Sequence, residues 1–282
     1  MILEEIVNQA SNLLKKENIN THQLDAEIIL SDIMGVSREF LIVNSKSKIK
    51  KTTLKKYNFA IKRRIKREPV AYITGKKEFW SENFLVNQNT LVPRPETELM
   101  IYEVLKFFKN KSINVLDIGT GSGCILLSIL KNLNFARGTG IDISPKAIKV
   151  AMANAKKLKL CNRTSFKIYD IKKYDFGNYD LIVSNPPYIP SKNIKNLSKD
   201  IINYEPKLAL DGGIDGLDLI KKVIYKSKHL LKKNGLLVLE IGFNQYRKTS
   251  NVLKRFGFRE VSKEFDFNKN VRCIMSTKAN FY

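Results

Sequence analysis

From Glu96 onward, stretches with the apolar period of a helix alternate with short β-branched apolar runs, and no other feature restricts the fold as sharply. The expected order is helix 96–108, strand 113–118, helix 123–131, strand 137–142, helix 145–158, strand 164–169, strand 179–184, helix 216–232, strand 235–241, helix 244–255 and a closing strand pair near 258–265 and 271–276. Such alternation buries its apolar surfaces as a parallel sheet with helices on both faces. The predicted class is α/β.

Residues 2–66 have a different texture. Ile2, Ile6, Ala10, Leu13 and Leu14 fall on one helical stripe, and Leu24, Ile28, Ile29 and Ile33 on another, with Thr21 as a cap. A third amphipathic segment runs from Leu54 through Phe59, Ile61 and Ile65 into Lys62-Arg63-Arg64-Ile65-Lys66-Arg67, a solvated face or a contact surface. Between about 69 and 95, Val70, Tyr72, Ile73, Phe79, Trp80, Phe84 and Val86 are β-formers broken by Gly75 and Asn83. The expected domains are a helical bundle at 1–68, a β-hairpin linker at 69–95 and a catalytic domain at 96–282, which a chain of 282 residues can accommodate.

Composition narrows the class. With 27% charged residues and no apolar run near the roughly 20 residues of a membrane span, the chain reads as soluble. Acids at Glu4 and Glu5, where a secretory signal carries positive charge, point to the cytoplasm. Cys124, Cys161 and Cys273 lack C-x-x-C spacing and read as buried small hydrophobes, while His22 and His229 have no ligand cluster, so no metal is expected. The net charge of +23 has two readings. Arg supplies only 11 of the 50 basic residues, which suits drift toward AT-rich codons, whereas a functional basic surface would face RNA, the ribosome or a nucleic-acid-binding protein.

The strand Ile113–Ile118 runs into Gly119-Thr120-Gly121-Ser122-Gly123, where glycines permit a tight turn and close backbone approach beside the free N–H groups of a helix N-terminus. The spacing departs from the dinucleotide fingerprint, whose third glycine position is occupied by Cys124. About 20 residues past the turn, Asp142 ends the next strand, where it can accept from both hydroxyls of a ribose or simply precede the Ser144-Pro145 helix start. Asp170 ends the third strand and could take the exocyclic amine of adenine or serve a surface turn.

The next strand delivers Asn185-Pro186-Pro187-Tyr188 to the same edge of the sheet. Consecutive prolines stiffen the loop and lack N–H donors. The Asn185 side-chain oxygen and the Pro186 carbonyl can together accept both protons of an –NH₂ group, and Tyr188 offers a flat face to a planar π system. An amide nitrogen is a poor nucleophile, so positioning must carry the reaction, and it can supply about 7 to 11 kcal/mol of the barrier. Glycine turn and proline loop together imply S-adenosyl-L-methionine as methyl donor and a planar amide or amine nitrogen as acceptor.

Several further stretches carry a resemblance: Arg67-Glu68-Pro69-Val70-Ala71-Tyr72-Ile73-Thr74-Gly75, Glu78-Phe79-Trp80, Val92-Pro93-Arg94-Pro95-Glu96-Thr97-Glu98, and Glu205-Pro206-Lys207-Leu208-Ala209-Leu210 with Gly212-Gly213 and Asp215-Gly216-Leu217. Over essentially its whole length the chain resembles the PrmC/HemK family of peptide chain release factor glutamine-N(5) methyltransferases. The resemblance implies a seven-stranded Rossmann-like (class I) methyltransferase domain behind a small helical domain and hairpin. It also implies methylation of the glutamine in the Gly-Gly-Gln loop of class I release factors. Gly119, Thr120, Gly121, Ser122 and Gly123 would line the cofactor, Asp142 would bind its ribose, and Asn185, Pro186, Pro187 and Tyr188 would hold the glutamine amide, with Asn185 also bordering the cofactor. Ile171 stands where many relatives carry an aromatic residue, leaving an apolar surface for adenine. Arg94 could fix the loop beside the cofactor, reach the methionine carboxylate, or mark a helix start with Glu96 and Glu98. The helical domain and basic surface would recognise the body of the release factor. Competing readings are an adenine-N(6) methyltransferase of DNA or RNA, a methyltransferase for ribosomal protein glutamine, a non-catalytic release-factor or ribosome-binding module, and a nicotinamide dehydrogenase.

Overall fold

A computed structural model describes residues 1–278. In chain order the elements are helices α1 (Leu3–Lys16), α2 (His22–Met34), α3 (Arg38–Val43), α4 (Lys51–Ile65) and α5 (Val70–Thr74), strands β1 (Lys76–Phe79) and β2 (Glu82–Leu85), then α6 (Glu98–Phe108), β3 (Asn114–Ile118), α7 (Cys124–Asn132), β4 (Arg137–Asp142), α8 (Pro145–Lys157), β5 (Thr164–Ile168) and β6 (Tyr179–Ser184). They continue through α9 (Lys199–Tyr204), α10 (Asp218–Leu230), β7 (Leu231–Glu240), α11 (Tyr246–Arg255), β8 (Phe258–Phe265) and β9 (Val271–Lys278).

Seven strands form one sheet in the order β5-β4-β3-β6-β7-β9-β8, parallel except for the antiparallel β9. Alternate strand residues serve opposite faces. Val115, Leu181 and Val183 pack with Met100, Ile101 and Val104 of α6 and with the apolar side of α7, whereas Leu116, Ile118 and Ile182 pack with Ile220, Val223 and Ile224 of α10. The chain runs outward from β3 to β4 and β5, then returns to β6 on the other flank of β3. The carboxyl ends of β3 and β6 therefore flank the topological switch point, where open α/β sheets leave a crevice for ligands.

The chain divides into two compact units, residues 1–76 with 198–204, and residues 77–197 with 205–278. Of the expected linker at 69–95, residues 69–76 fall in the first unit and 77–95 in the second, and α9, a segment of the long loop after β6, belongs to the first. In the first unit Leu3, Ile6, Leu14, Ile29, Leu30, Tyr57 and Ile61 form the core. Its Arg64, almost fully buried, pairs with Asp25 at 2.7 Å and with Asp200 of α9 at 2.8 Å, and Tyr204 of α9 donates to the Lys66 carbonyl.

Several local expectations fail for identifiable reasons. Val70, Tyr72 and Ile73 lie in α5, not a strand, because Pro69 starts the turn and Gly75 closes it in the left-handed region. Two residues at positive φ, Trp80 and Ser81, make the hairpin turn, away from the expected breaks at Gly75 and Asn83. Thr21 donates to the Asp25 carboxylate rather than capping α2. Leu13, Leu24 and Phe59, placed on apolar stripes, are exposed, as is Cys161. Strand β7 starts at Leu231 instead of 235, with a register shift against β6 that accommodates Asn234 at positive φ. Among the described residues no helix is long and apolar enough to cross a membrane.

Candidate active site

The glycine turn follows directly from β3. The backbone N–H groups of Gly119 and Thr120 both donate to the Ile141 carbonyl, and the Thr120 hydroxyl donates to Asp117 Oδ2 at 2.7 Å. Gly119 and Gly121 have φ of 75° and 54°, which only glycine adopts without strain. A Cβ at Gly119 would meet nothing within 4 Å, and one at Gly121 would come no nearer than 4.0 Å to the Gly119 carbonyl oxygen, so the turn opens on free space. Gly123 differs. A Cβ there would lie 3.1 Å from Leu127 and 3.2 Å from Ala151, so its lack of a side chain serves the approach of α7 to α8. Ser122 is buried, and its carbonyl accepts from Asn154 Nδ2 at 2.8 Å.

Asp142 at the end of β4 accepts from Gly121 N–H through Oδ2 and from Ser144 N–H through Oδ1, both at 2.9 Å. Burial pushes this carboxyl above its ordinary range, while the backbone donors of Ser144 and Gly121 oppose the shift. Ile143, next in sequence, is 57% exposed, a large apolar side chain in an open position. Sequence reading passed over it because one isoleucine after a strand carries no chemical signal. Asp170 caps the 3₁₀ turn at Ile171–Lys173, its Oδ1 accepting from Lys172 N–H at 2.9 Å. Ile171, expected to offer adenine an apolar surface, packs instead into the core with Leu116, Ile118 and Ile141.

Across the switch point, β3 and β6 pair in register from Val115 with Leu181 to Asp117 with Val183, and the Ser184 hydroxyl donates to the Ile118 carbonyl. Asn185 therefore emerges beside Gly119. The loop it begins is held from behind by a segment read in the sequence only as family text. Ile189 N–H donates to the Leu210 carbonyl, Gly212 N–H donates to the Ile189 carbonyl, and Gln245 Nε2 donates to the Tyr188 carbonyl at 2.8 Å. A Cβ at Gly212 would lie 2.8 Å from the Pro187 carbonyl oxygen and from Tyr188 Cα, so glycine is needed for this close backbone packing.

The side chains of the loop are tied down as well. Asn185 Nδ2 donates to Thr97 Oγ1 at 3.2 Å, and the Tyr188 hydroxyl donates to Glu240 Oε1 at 3.2 Å. Burial, then the charge of Glu240, pushes the Tyr188 phenol well above its ordinary value, so it stays protonated and able to donate. The Arg272 guanidinium lies 5.8 Å from the centre of the Tyr188 ring. Arg94 pairs with Glu205 at 2.6 Å, and Glu205 also accepts from Val92 N–H. Arg94 also stands directly before the 3₁₀ turn Pro95–Thr97 that leads into α6, with Glu96 in its first turn. Glu98 accepts from Trp80 N–H at the hairpin turn. Among the described residues no group of three or more His, Cys, Asp or Glu could hold a metal ion.

A Rossmann-like seven-stranded sheet with a glycine cradle and a stiff polar loop facing one another across the switch point defines a methyltransferase. Residues 109–282 match the family described as methyltransferase domain, and residues 5–75 match the PrmC N-terminal domain. The release factor glutamine methyltransferase of Clostridium acetobutylicum is 36% identical to this chain over 99% of both, and that of Caulobacter vibrioides is 36% identical over 95% of this chain and 94% of the relative. The chain belongs to the release factor glutamine methyltransferase family. Among solved structures, a methyltransferase from Pyrococcus furiosus superposes with a TM-score of 0.53 at 16% identity, covering 70% of this chain and 89% of that one, which shows the shared fold.

Proposed function

We propose that this enzyme transfers a methyl group from S-adenosyl-L-methionine to the side-chain amide nitrogen of the glutamine in the Gly-Gly-Gln motif of class I release factors, in the cytoplasm. The observation that carries the reading is the pairing of an open glycine cradle with the Asn185–Tyr188 loop on adjacent strands at one switch point. The residues fit the cofactor. Gly119 and Gly121 leave room for close approach, each Asp142 oxygen keeps a lone pair beyond its backbone bond for a ribose hydroxyl, and exposed Ile143 gives adenine the apolar surface that Ile171 does not. When bound, the cofactor supplies an electrophilic methyl on a sulfonium.

In this reading the protein's own groups act by placement. Asn185 Oδ1 and the Pro186 carbonyl accept hydrogen bonds from the two protons of the glutamine –NH₂, which favours a pyramidal nitrogen as positive charge develops on it, and one of those protons is lost to solvent once the N–CH₃ bond has formed. Tyr188 stacks on the amide plane. Gln245 and Gly212 hold the Tyr188–Ile189 end of the loop from behind, so the loop backbone is fixed before substrate arrives and little reorganisation is required during reaction. The helical unit and its basic α4 take the body of the release factor. The test is incubation of the full chain with methyl-labelled cofactor and either release factor or nucleic acid. Label in the release factor glutamine is expected, and label only in nucleic acid would overturn the reading in favour of adenine.

A further inference from the structure

The proposed chemistry uses Asn185 and Tyr188 but gives no role to the two buried residues that hold them. Glu240, the last residue of β7, is 1% exposed, and Thr97 is 2% exposed. Glu240 Oε2 accepts from the Thr97 hydroxyl at 2.6 Å, Oε1 accepts from the Tyr188 hydroxyl, and Thr97 Oγ1 accepts in turn from Asn185 Nδ2. One carboxylate therefore governs both ends of the four-residue loop. The pairing of Ser184 with Leu239 puts Glu240 next to Asn185 across the sheet edge, and Thr97 closes the gap between them.

The direction of these bonds matters. A carboxamide turned over about its last bond has nearly the same shape but exchanges its acceptor for a donor. Only one orientation of Asn185 presents oxygen to an incoming –NH₂; the other presents N–H groups to N–H groups. Both Glu240 oxygens accept, one from the Thr97 hydroxyl and the other from the Tyr188 hydroxyl, so Thr97 directs its proton to Glu240 and retains only lone pairs for Asn185. Asn185 meets those lone pairs with Nδ2, which leaves Oδ1 on the opposite side. Burial, with the charge of Glu96 adding to it, raises the Glu240 carboxyl above its ordinary range, while the Thr97 hydroxyl, the Arg272 guanidinium and the Tyr188 hydroxyl oppose the shift.

We propose that Thr97 and Glu240 are positioning residues whose hydrogen-bond chain, with its direction set at the buried carboxylate, keeps Asn185 Oδ1 turned toward the nitrogen to be methylated and holds Tyr188 beside it. The inference rests on the amide-methylation reading above. It is tested on the full-length enzyme by measuring release-factor methylation, cofactor affinity by calorimetry, and melting temperature for Thr97→Val, Thr97→Ser and Glu240→Gln. Thr97→Val keeps the shape and removes the hydroxyl. Its kcat is expected to fall by about 10- to 100-fold, with KM for release factor and cofactor Kd within about twofold of wild type. Thr97→Ser restores the hydroxyl and is expected to recover kcat to within about threefold. Glu240→Gln can offer an N–H to Thr97 and reverse the chain, so its kcat should fall at least as far as that of Thr97→Val. A Thr97→Val enzyme with kcat within about twofold of wild type overturns the inference. So does a variant that loses cofactor affinity and melting temperature along with kcat and is not rescued by serine, since that pattern marks a structural role. If the wild-type chain does not methylate release factor, the functional reading falls and the inference with it; if wild type is active and only the variants behave otherwise, the inference alone falls.

Discussion

Asp117 shows how one side chain can tie stability to pH. Its carboxyl is wholly buried under the glycine turn, with Oδ2 bonded to Thr120 and Oδ1 without a hydrogen-bond partner. Burial first, and the nearby charge of Asp142 after it, push its pKa from 3.8 up to about 7, while the Thr120 bond works the other way. A carboxyl raised in the folded state binds more protons there than in the unfolded chain, so stability falls as pH rises from about 4 to about 7 and then levels off. Asp117→Asn removes the penalty and keeps an acceptor for Thr120. Its melting temperature is expected to exceed that of wild type at pH 8, with the gap closing toward pH 4; thermal melts across that range check it, and a constant gap would count against it. For the reacting loop, Asn185→Ala is expected to lower kcat by about 100-fold or more while cofactor Kd by calorimetry stays within about threefold. Equal loss of both would move Asn185 into the cofactor site. The positions of Asn185, Tyr188, Asp142 and the glycines at the carboxyl edge of the sheet were legible because these residues stand directly after predicted strands. Thr97, Glu240 and Gln245 were not. Thr97 looks like part of a helix start and Glu240 like the polar end of an apolar strand, and the bond that joins them spans 143 residues of sequence.

Among the elements, the sheet order depends on strands whose apolar runs are long enough to be recognised, and those were read to within a few residues. The short helices α3, α5 and α9 were not, because a run such as Val70-Ala71-Tyr72-Ile73-Thr74 is too short for a helical period to emerge from its β-branched composition. The hairpin shows what fixes such a short element. The side chain of Asn154 in α8 accepts from Leu85 N–H of β2 at 2.7 Å and donates to the Leu85 carbonyl and to the Ser122 carbonyl of the glycine turn. A strand edge, a helix and the glycine turn thus share one buried carboxamide. Asn154→Leu, of similar size, would leave those backbone groups unpaired and is expected to cost about 2 to 4 kcal/mol. That corresponds to a fall of about 5 to 12 °C in melting temperature, which calorimetry would read. A variant that melts within about 1 °C of wild type would show that water replaces the side chain.

At the scale of the whole molecule, the charge is not spread evenly. Residues 46–67 contain 11 basic residues and no acid. Within α4, Lys51, Lys55 and Lys62 are exposed at helical spacing on one face, while Arg64 turns inward to Asp25 and Asp200. If this face receives the release factor, Lys51→Glu/Lys55→Glu/Lys62→Glu should raise KM for the intact factor by about tenfold and flatten its salt dependence, with kcat within about twofold. Unchanged KM in low salt would assign the charge to solvation. A Gly-Gly-Gln peptide lacks the body that this face would hold and is expected to be a poor substrate with either protein. The helical unit that carries α4 is itself assembled from two distant stretches, residues 1–76 and 198–204. Synthesis separates them in time. At about 5 to 20 residues per second, α9 leaves the ribosome about 6 to 25 s after the helices it completes. Through that interval Arg64 has Asp25 but not Asp200, and Tyr204 has yet to reach Lys66. The first part of the chain to be made is thus among the last to be finished, and every pause between codons 77 and 204 prolongs the time its helices stand without their closing piece.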